Sequence, residues 1–173
     1  MTYQIHAYRY LRVLFHYVND WTYWRDVQNA ADKVYYDTGE QADVTSGSSR
    51  IVVVGKDFVI KWDYDFENIE TIGGCEDEFR VYKRSLSTGY AHLLAPVFRI
   101  YYRNRFFFIM PRINHIGDEE HEYKNINEFI TENEYDWLRD NIGDLHSWNW
   151  GLDDFNNPII IDYACRPNPE ATS

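Results

Sequence analysis

The chain has 173 residues, 45% of them hydrophobic and 18% aromatic, which suffices for one ordinary domain or two small lobes and is too apolar for a disordered protein. Its formal net charge is −11, and a protein this acidic repels nucleic-acid phosphates, which bind proteins mainly through Lys and Arg. The charge argues against direct nucleic-acid binding and leaves open a basic protein partner or a mimic of DNA charge.

The cysteines give no sign of a metal site. Cys75 and Cys165 are ninety positions apart, and neither belongs to a paired-ligand motif such as CxxC. We expect both cysteines to be reduced thiols. One disulfide bond between them is the alternative. Residues 1–10 lack a basic stretch followed by an apolar one, and no run of about 18 apolar residues occurs. The predicted location is therefore the cytoplasm, without a membrane partner.

The N-terminal third predicts helix followed by loop. Apolar residues recur every three or four positions between Ala7 and Ala31, a spacing typical of one amphipathic helix or two. The segment from Asp37 to Arg50 contains glycines and small polar residues and is predicted to be a loop.

The central part predicts strands with one inserted helix. Two β-branched runs, 51–54 and 58–62, flank the tight turn Gly55-Lys56-Asp57 and predict a hairpin. A loop over 63–74 and a helix over 75–87 follow. Residues 93–100 predict a strand interrupted by Pro96, and 101–109 predict a hairpin arm that turns at 103–105.

The C-terminal part predicts a helix over about 126–138 and a short hairpin that ends in the β run 158–162. The order of helix, antiparallel strands with one inserted helix, second helix and short hairpin predicts an α+β fold with a curled sheet.

Three segments carry residues suited to binding phosphate. The small-residue turn of Gly47, Ser48 and Ser49 can bring backbone N–H groups close to phosphate oxygens, although a plain hairpin connector is the commoner explanation. Lys61 ends an apolar β run and needs a counter-charge from phosphates or a carboxylate. Glu78, near the start of the following helix, can supply that carboxylate, although acidic residues there also complement the helix dipole.

A fourth segment has the spacing of a phosphoryl-transfer site. Asp144 precedes Asn149 by five positions, and Asp162 follows Asn149 by thirteen, at the end of the predicted hairpin. In phosphoryl transfer one carboxylate accepts the hydroxyl proton, while an amide oxygen and a second carboxylate hold Mg²⁺. The simpler alternative is that Asp144 and Asn149 are turn residues and that Asp162 is a strand-end residue.

On these residues the chain resembles the protein-kinase-like superfamily, in particular small phage or bacterial kinase-like proteins and aminoglycoside-phosphotransferase-like proteins. Asp144-Leu145-His146-x-x-Asn149 is similar to their catalytic loop, and Ile160-Ile161-Asp162-Tyr163 is similar to their metal-binding aspartate segment.

The resemblance implies ATP and Mg²⁺ as cofactors and assigns a role to each candidate residue. Asp144 would be catalytic, Lys61 would contact the phosphates and be held by Glu78, and Asn149 and Asp162 would bind the metal. Met110, in the segment 108–111, would contact the adenine as part of the hinge. Gly47, Ser48 and Ser49 would form the phosphate turn.

The resemblance also implies a minimal kinase-like fold in one compact unit. Residues 1–44 would form an N-terminal helical segment, 45–110 an N-lobe-like antiparallel sheet with one inserted helix, and 111–173 a much reduced helical C-lobe. An ordinary protein kinase continues after the metal-binding aspartate into an activation segment and a substrate-binding lobe, whereas this chain ends eleven residues after Asp162.

Two functions follow as hypotheses. The first is an ATP- and Mg-dependent phosphotransferase, a minimal phage-type protein Ser/Thr kinase that acts on a protein substrate. The alternative is a catalytically inactive kinase-like binding protein or inhibitor, or an acidic charge mimic, that docks on a host protein in the host cytoplasm.

Overall fold

The computed structural model describes residues 2–47, 49–64, 74–113, 126–142 and 149–163, with only the backbone of Asn127. These residues form an α+β fold with a five-stranded antiparallel sheet and a separate two-stranded sheet, which confirms the predicted fold class. The chain divides into two compact units, one made of residues 1–75 and 97–112 and the other of residues 76–96 and 113–173. The N-terminal helical segment thus belongs to the same unit as the five-stranded sheet.

The first unit begins with the two helices α1 (Thr2–Leu14) and α2 (Trp24–Thr38), where the periodicity predicts one helix or two. Helix α2 ends at Gly39, whose φ of 76° lies in the left-handed region and whose N–H donates to the Tyr35 carbonyl. A side chain disfavours this conformation, so glycine is well suited to end the helix here.

The five strands are β1 (Asp43–Ser46), β2 (Arg50–Val54), β3 (Phe58–Asp63), β4 (Phe98–Tyr102) and β5 (Arg105–Pro111), in the spatial order β1-β2-β3-β5-β4. The β2–β3 hairpin turns at Gly55-Lys56-Asp57, as predicted. The β4–β5 hairpin turns at Arg103 and Asn104, which both have positive φ, as a two-residue turn between twisted strands requires.

Two sequence predictions about the strands of the five-stranded sheet were wrong. The segment 37–50 was predicted as a loop, yet it contains β1. This edge strand buries only Val44 of its four residues, so its composition lacks the alternation that marks a strand. A strand was also predicted from Leu93, yet 91–93 form a 3₁₀ turn and β4 begins only at Phe98, beyond the restriction that Pro96 imposes.

The core of the first unit lies between the two helices and one face of the sheet. Alternate strand residues enter it, namely Ile51, Val53, Phe58, Ile60, Trp62, Phe107 and Ile109. Trp62 is fully buried, and its Nε1–H donates to the Trp21 carbonyl over 2.9 Å. This bond gives the indole a partner that an apolar core alone does not provide.

The second unit holds most of helix α3 (Cys75–Thr88), helix α4 (Glu132–Asn141) and the hairpin of β6 (Trp150–Leu152) and β7 (Pro158–Ile160). The sequence predictions for α3 and for this hairpin are confirmed. Among the described helices none is both long and apolar enough to cross a bilayer.

Helix α4 corrects the predicted helix over 126–138. Residues 126–128 form a 3₁₀ turn, and the α-helix begins only after Thr131. The Thr131 hydroxyl accepts the Glu134 N–H, while the Glu134 carboxylate accepts the Thr131 N–H over 2.6 Å, which together form a capping box. This Thr-x-x-Glu signal marks the true start of the helix.

The capping box predicts that the Thr131→Ala variant is measurably less stable than the wild type. Removal of the hydroxyl leaves an N-terminal N–H of α4 without its acceptor, and we expect the free energy of unfolding to fall by about 1 kcal/mol. Urea unfolding measures the change. Asn133→Ala, at an exposed residue in the first turn of the same helix, is the matched control and should change stability by less than about 0.5 kcal/mol. Equal losses in the two variants would contradict the capping role.

The same cap predicts a pH dependence. Hydrogen bonds from Thr131 and then from His92 lower the pKa of Glu134 from its ordinary 4.5 to about 2. Because the pKa is lowered in the folded protein, the stabilisation is present above pH 4.5 and is lost as the pH falls from 4.5 towards 2. Glu134→Gln should therefore be less stable than the wild type at neutral pH. The difference between their free energies of unfolding should become smaller as the pH falls from 4.5 towards 2. A gap that stays constant with pH would refute this linkage.

Candidate functional site

Lys61 lies in the central strand β3, in register with Val52 of β2 and Phe108 of β5. Its neighbours Ile60 and Trp62 enter the helix-covered core. Because successive side chains of a strand point to opposite faces, Lys61 lies on the other face of the sheet. It is only 6% exposed, and an ammonium buried to this degree requires an anionic or hydrogen-bonding partner.

Met110 shares this second face of the sheet. In β5, Phe107 and Ile109 belong to the helix-covered core, so Phe108 and Met110 lie on the face of Lys61. Met110 pairs with Val59, two positions before Lys61, and is buried. The residue predicted to contact adenine is thus a strand residue on the same face as the predicted phosphate lysine.

The predicted phosphate turn joins β1 to β2. The Gly47 N–H donates to the Arg50 carbonyl over 3.0 Å, and the Tyr64 N–H donates to the Ser49 carbonyl over 3.0 Å. A Cβ on Gly47 would meet only Arg50 Cγ at 4.0 Å, an ordinary contact, so the turn itself does not require glycine. Ser48 lies outside the described residues.

Glu78 is fully buried on α3, in the second unit. Burial raises the pKa of Tyr163 well above its ordinary value, and the nearby carboxylates of Glu78 and Asp162 raise it further. Glu78 and the strand-end segment therefore lie close together inside the second unit. Lys61 belongs to the first unit, and its pairing with Glu78 remains a prediction.

The predicted metal ligands Asn149 and Asp162 meet at one end of the β6–β7 hairpin. Trp150 pairs with Ile160, and one step further the Asn149 carbonyl accepts the N–H groups of Ile161 over 2.8 Å and of Asp162 over 3.4 Å. Backbone hydrogen bonds thus bring together two residues thirteen positions apart in sequence. Amide and carboxylate oxygens are ligands that Mg²⁺ accepts, so the pair fits this metal.

The third residue of that constellation, Asp144, lies outside the described residues. Across the described ranges no cluster of three or more His, Cys, Asp and Glu side chains has the arrangement of a metal site. Of the three residues predicted to meet at the metal, the structure therefore describes Asn149 and Asp162.

Two positioning residues had no assigned role in the sequence prediction. The Tyr163 hydroxyl donates to the Ala95 carbonyl over 2.6 Å, and the Ala95 N–H donates to the Ile160 carbonyl over 2.9 Å, so the strand end that carries Asp162 is anchored on both sides.

The second positioning residue is Asp63. It accepts the Cys75 N–H with both carboxylate oxygens at 3.1 Å and so caps α3. Asp63 and Cys75 are twelve positions apart, so no local sequence pattern indicates this cap. Tyr163, in contrast, directly follows Asp162, and this position could have indicated its anchoring role from sequence.

Comparison with protein families and with curated proteins finds no match for this chain. The residues themselves therefore carry the functional argument.

The anchor predicts the effect of Tyr163→Phe. The substitution keeps the ring and leaves the buried Ala95 carbonyl without this donor, and we expect the free energy of unfolding to fall by about 1–3 kcal/mol. Denaturant unfolding measures the change. Tyr36→Phe, at a tyrosine that is 85% exposed, is the control and should be close to neutral. A neutral Tyr163→Phe would show that the hydroxyl does not hold the strand end.

Proposed function

We propose that the protein is an ATP- and Mg-dependent phosphotransferase that transfers phosphate to a Ser or Thr hydroxyl of a protein substrate. One observation carries the proposal: the Asn149 carbonyl accepts the Asp162 N–H, so the backbones of the two predicted metal ligands lie side by side at the end of a hairpin. Sequence spacing alone predicted this pair as the metal ligands of a phosphoryl-transfer site.

The buried lysine supports the same chemistry. A core position filled by an ammonium is in general no more stable than one filled by an apolar side chain, because the desolvation cost offsets the attraction to its partner. Lys61 occupies such a position in the central strand. A lysine at this position is therefore better explained by function than by stability. Contact with the α- and β-phosphates of a nucleotide is such a function.

Each residue then has a role. Asn149 and Asp162 would hold Mg²⁺, which neutralises phosphate charge when it is bound. Lys61, oriented by Glu78, would bind the phosphates, and Asp144 would orient the acceptor hydroxyl and accept its proton. Ser48 and Ser49 would offer backbone N–H groups to the phosphates, since the Gly47 N–H already donates to the Arg50 carbonyl, and Met110 would contact the adenine.

The binding test compares two aspartates of one hairpin. With ATP and Mg²⁺ at about 100 times the dissociation constant, the wild type should gain about 2.7 kcal/mol of stability. Asp162→Asn removes a metal ligand and should abolish the Mg-dependent part of this gain. Asp154→Asn, an exposed residue in the β6–β7 turn, should keep it. Thermal-shift titrations with and without Mg²⁺ measure the effect, and equal gains in both variants would refute the metal assignment.

The transfer test separates catalysis from binding. Asp144→Ala should keep the nucleotide-dependent stabilisation and lose phosphate transfer to protein Ser or Thr, because only the group that orients the hydroxyl is removed. Transfer of the γ-phosphate to a protein mixture, followed by phosphoamino-acid detection, measures this. Wild-type transfer by the variant would exclude Asp144 as the catalytic residue.

A second candidate function is a catalytically inactive protein that docks on a host protein. The exposed aromatic residues of α2 favour it: Tyr35 is 50% exposed and Tyr36 85% exposed. Tyrosine and tryptophan are common anchors of protein interfaces. This function predicts no stabilisation by ATP with Mg²⁺, so the binding test above distinguishes the two candidates. The phage-type origin and the cytoplasmic location stay predictions.

A further inference from the structure

Residues 1–19 and residues 97–112, both in the first unit, contain arginines but no Asp or Glu. The six arginines are Arg9, Arg12, Arg99, Arg103, Arg105 and Arg112. The chain as a whole has 28 acidic residues and a net charge of −11. These two segments are therefore an exception in an acidic protein.

Aromatic contacts join the two segments. The ring centroid of Tyr3 lies 6.3 Å from that of Phe98, and the ring centroid of Tyr8 lies 5.9 Å from that of Tyr102. Phe15, directly after α1, lies 4.7 Å from Tyr102. Helix α1, strand β4 and the β4–β5 turn therefore meet, and their exposed residues Ile5, Tyr8, Arg9, Arg12, Phe98 and Arg103 form a surface that we call the basic face.

Two arginines of the basic face lie on the exposed side of α1. Ile5, Tyr8, Arg9 and Arg12 are spaced by three or four positions and are all exposed. Residues at this spacing are neighbours on one side of a helix. Within the described ranges Arg9 and Arg12 form no ion pair.

The third arginine, Arg103, is held in position at the β4–β5 turn. Its guanidinium carbon Cζ lies 5.5 Å from the ring centroid of Phe15 and 5.7 Å from that of Tyr102. A guanidinium stacked on aromatic rings keeps planar N–H donors that match a carboxylate. Arg103 is exposed and, in the part of the chain that the structure describes, forms no ion pair either. The turn thus presents a positioned cation to solvent.

Two carboxylates lie next to these segments, and both have other partners. Asp20, which directly follows residues 1–19, accepts the N–H and the hydroxyl of Thr22 over 2.8 and 2.6 Å. An Asp57 carboxylate oxygen lies 2.7 Å from His6 Nδ1. The arginines of the basic face therefore remain available for the carboxylates of a partner.

Exposed apolar side chains accompany these arginines. Ile5 is 54% exposed, Tyr8 42% and Phe98 39%. Tyrosine and arginine are enriched among the residues that dominate the binding energy of protein interfaces. A nucleic acid binds mainly through its phosphate charge and does not need exposed aliphatic groups. The combination of charge and apolar surface therefore fits a protein partner.

The small extent of the basic face favours a short acidic segment as that partner. At physiological salt, charges act over about 8 Å, so a short segment interacts mainly with the arginines. A nucleic acid would extend further and would also meet carboxylates of the same unit, such as the exposed Asp32 and Asp37 of α2.

We propose that the basic face binds an acidic segment of a partner protein. The carboxylates of this segment pair with Arg9, Arg12 and Arg103. Its apolar side chains pack on Ile5 and Tyr8. None of the proposed nucleotide-binding residues belongs to this face, so the proposal depends neither on phosphotransferase activity nor on the exposed tyrosines of α2.

The test measures binding to the full chain by fluorescence anisotropy at physiological salt. The probe is a labelled peptide in which Glu alternates with Tyr, and the two comparison probes are the same peptide with Gln in place of Glu and an oligouridylate of the same net charge. The acidic peptide should bind saturably, and the Gln peptide should bind at least about tenfold more weakly. Absence of saturable binding by the acidic peptide, equal binding by the Gln peptide, or tighter binding by the oligouridylate would overturn the proposal.

Variants assign the binding to the arginines. An exposed ion pair contributes a factor of about two to five to an equilibrium constant, so Arg12→Gln combined with Arg103→Gln should weaken peptide binding about tenfold. The control combines Lys33→Gln with Lys56→Gln, which removes the same charge from exposed residues of the same unit outside the basic face. It should change the affinity less than about twofold. Wild-type affinity in the arginine variant, or equal weakening in the two variants, would overturn the proposal.

Discussion

The alternation of side chains along β3 is the constraint on which the first unit depends. Phe58, Ile60 and Trp62 enter the helix-covered core, so Lys61 must lie on the opposite face. A slip of one residue in the register would exchange the two faces and remove the whole apolar set from the helix-covered core. The hydrogen bond from Trp62 Nε1 to the Trp21 carbonyl adds a directional contact that an apolar core lacks. The hydrophobic core, which does no chemistry, thus decides where the lysine stands.

The second unit positions its candidate metal ligands in a similar way, with groups that take no part in the chemistry. The β6–β7 ladder closes on the Asn149 carbonyl, and the buried Tyr163 hydroxyl and the Ala95 N–H hold the strand end that carries Asp162. Side chains on strands with fixed hydrogen bonds keep their geometry better than side chains on loops. The precision of such a site therefore comes from its supporting hydrogen bonds as much as from the ligands themselves.

Three buried polar groups carry a desolvation cost that an apolar side chain would avoid: the Lys61 ammonium, the Glu78 carboxylate and the Tyr10 hydroxyl. Proteins generally depart from the most stable choice at functional sites, because binding and catalysis need polar groups out of water. Lys61 and Glu78 were predicted from sequence to be functional, since a charge in or beside an apolar pattern is visible there. Tyr10 was not, because a tyrosine on the buried side of a helix looks like ordinary core.

The sequence by itself determined the elements with strong local periodicity, namely the β2–β3 hairpin, α3 and the β6–β7 hairpin. Its pairing of Asn149 with Asp162 at a metal is a prediction, and the structure shows the backbone contact between the two residues. Only the tertiary structure decided that the polar segment before Gly47 pairs as β1, that Asp63 caps α3, and that α1, residues 39–43 and the β2–β3 turn enclose a cavity. The reason is physical. Periodicity records which face of one element is buried, whereas edge pairing, distant caps and cavities depend on segments that are far apart in sequence and meet only when the chain has packed.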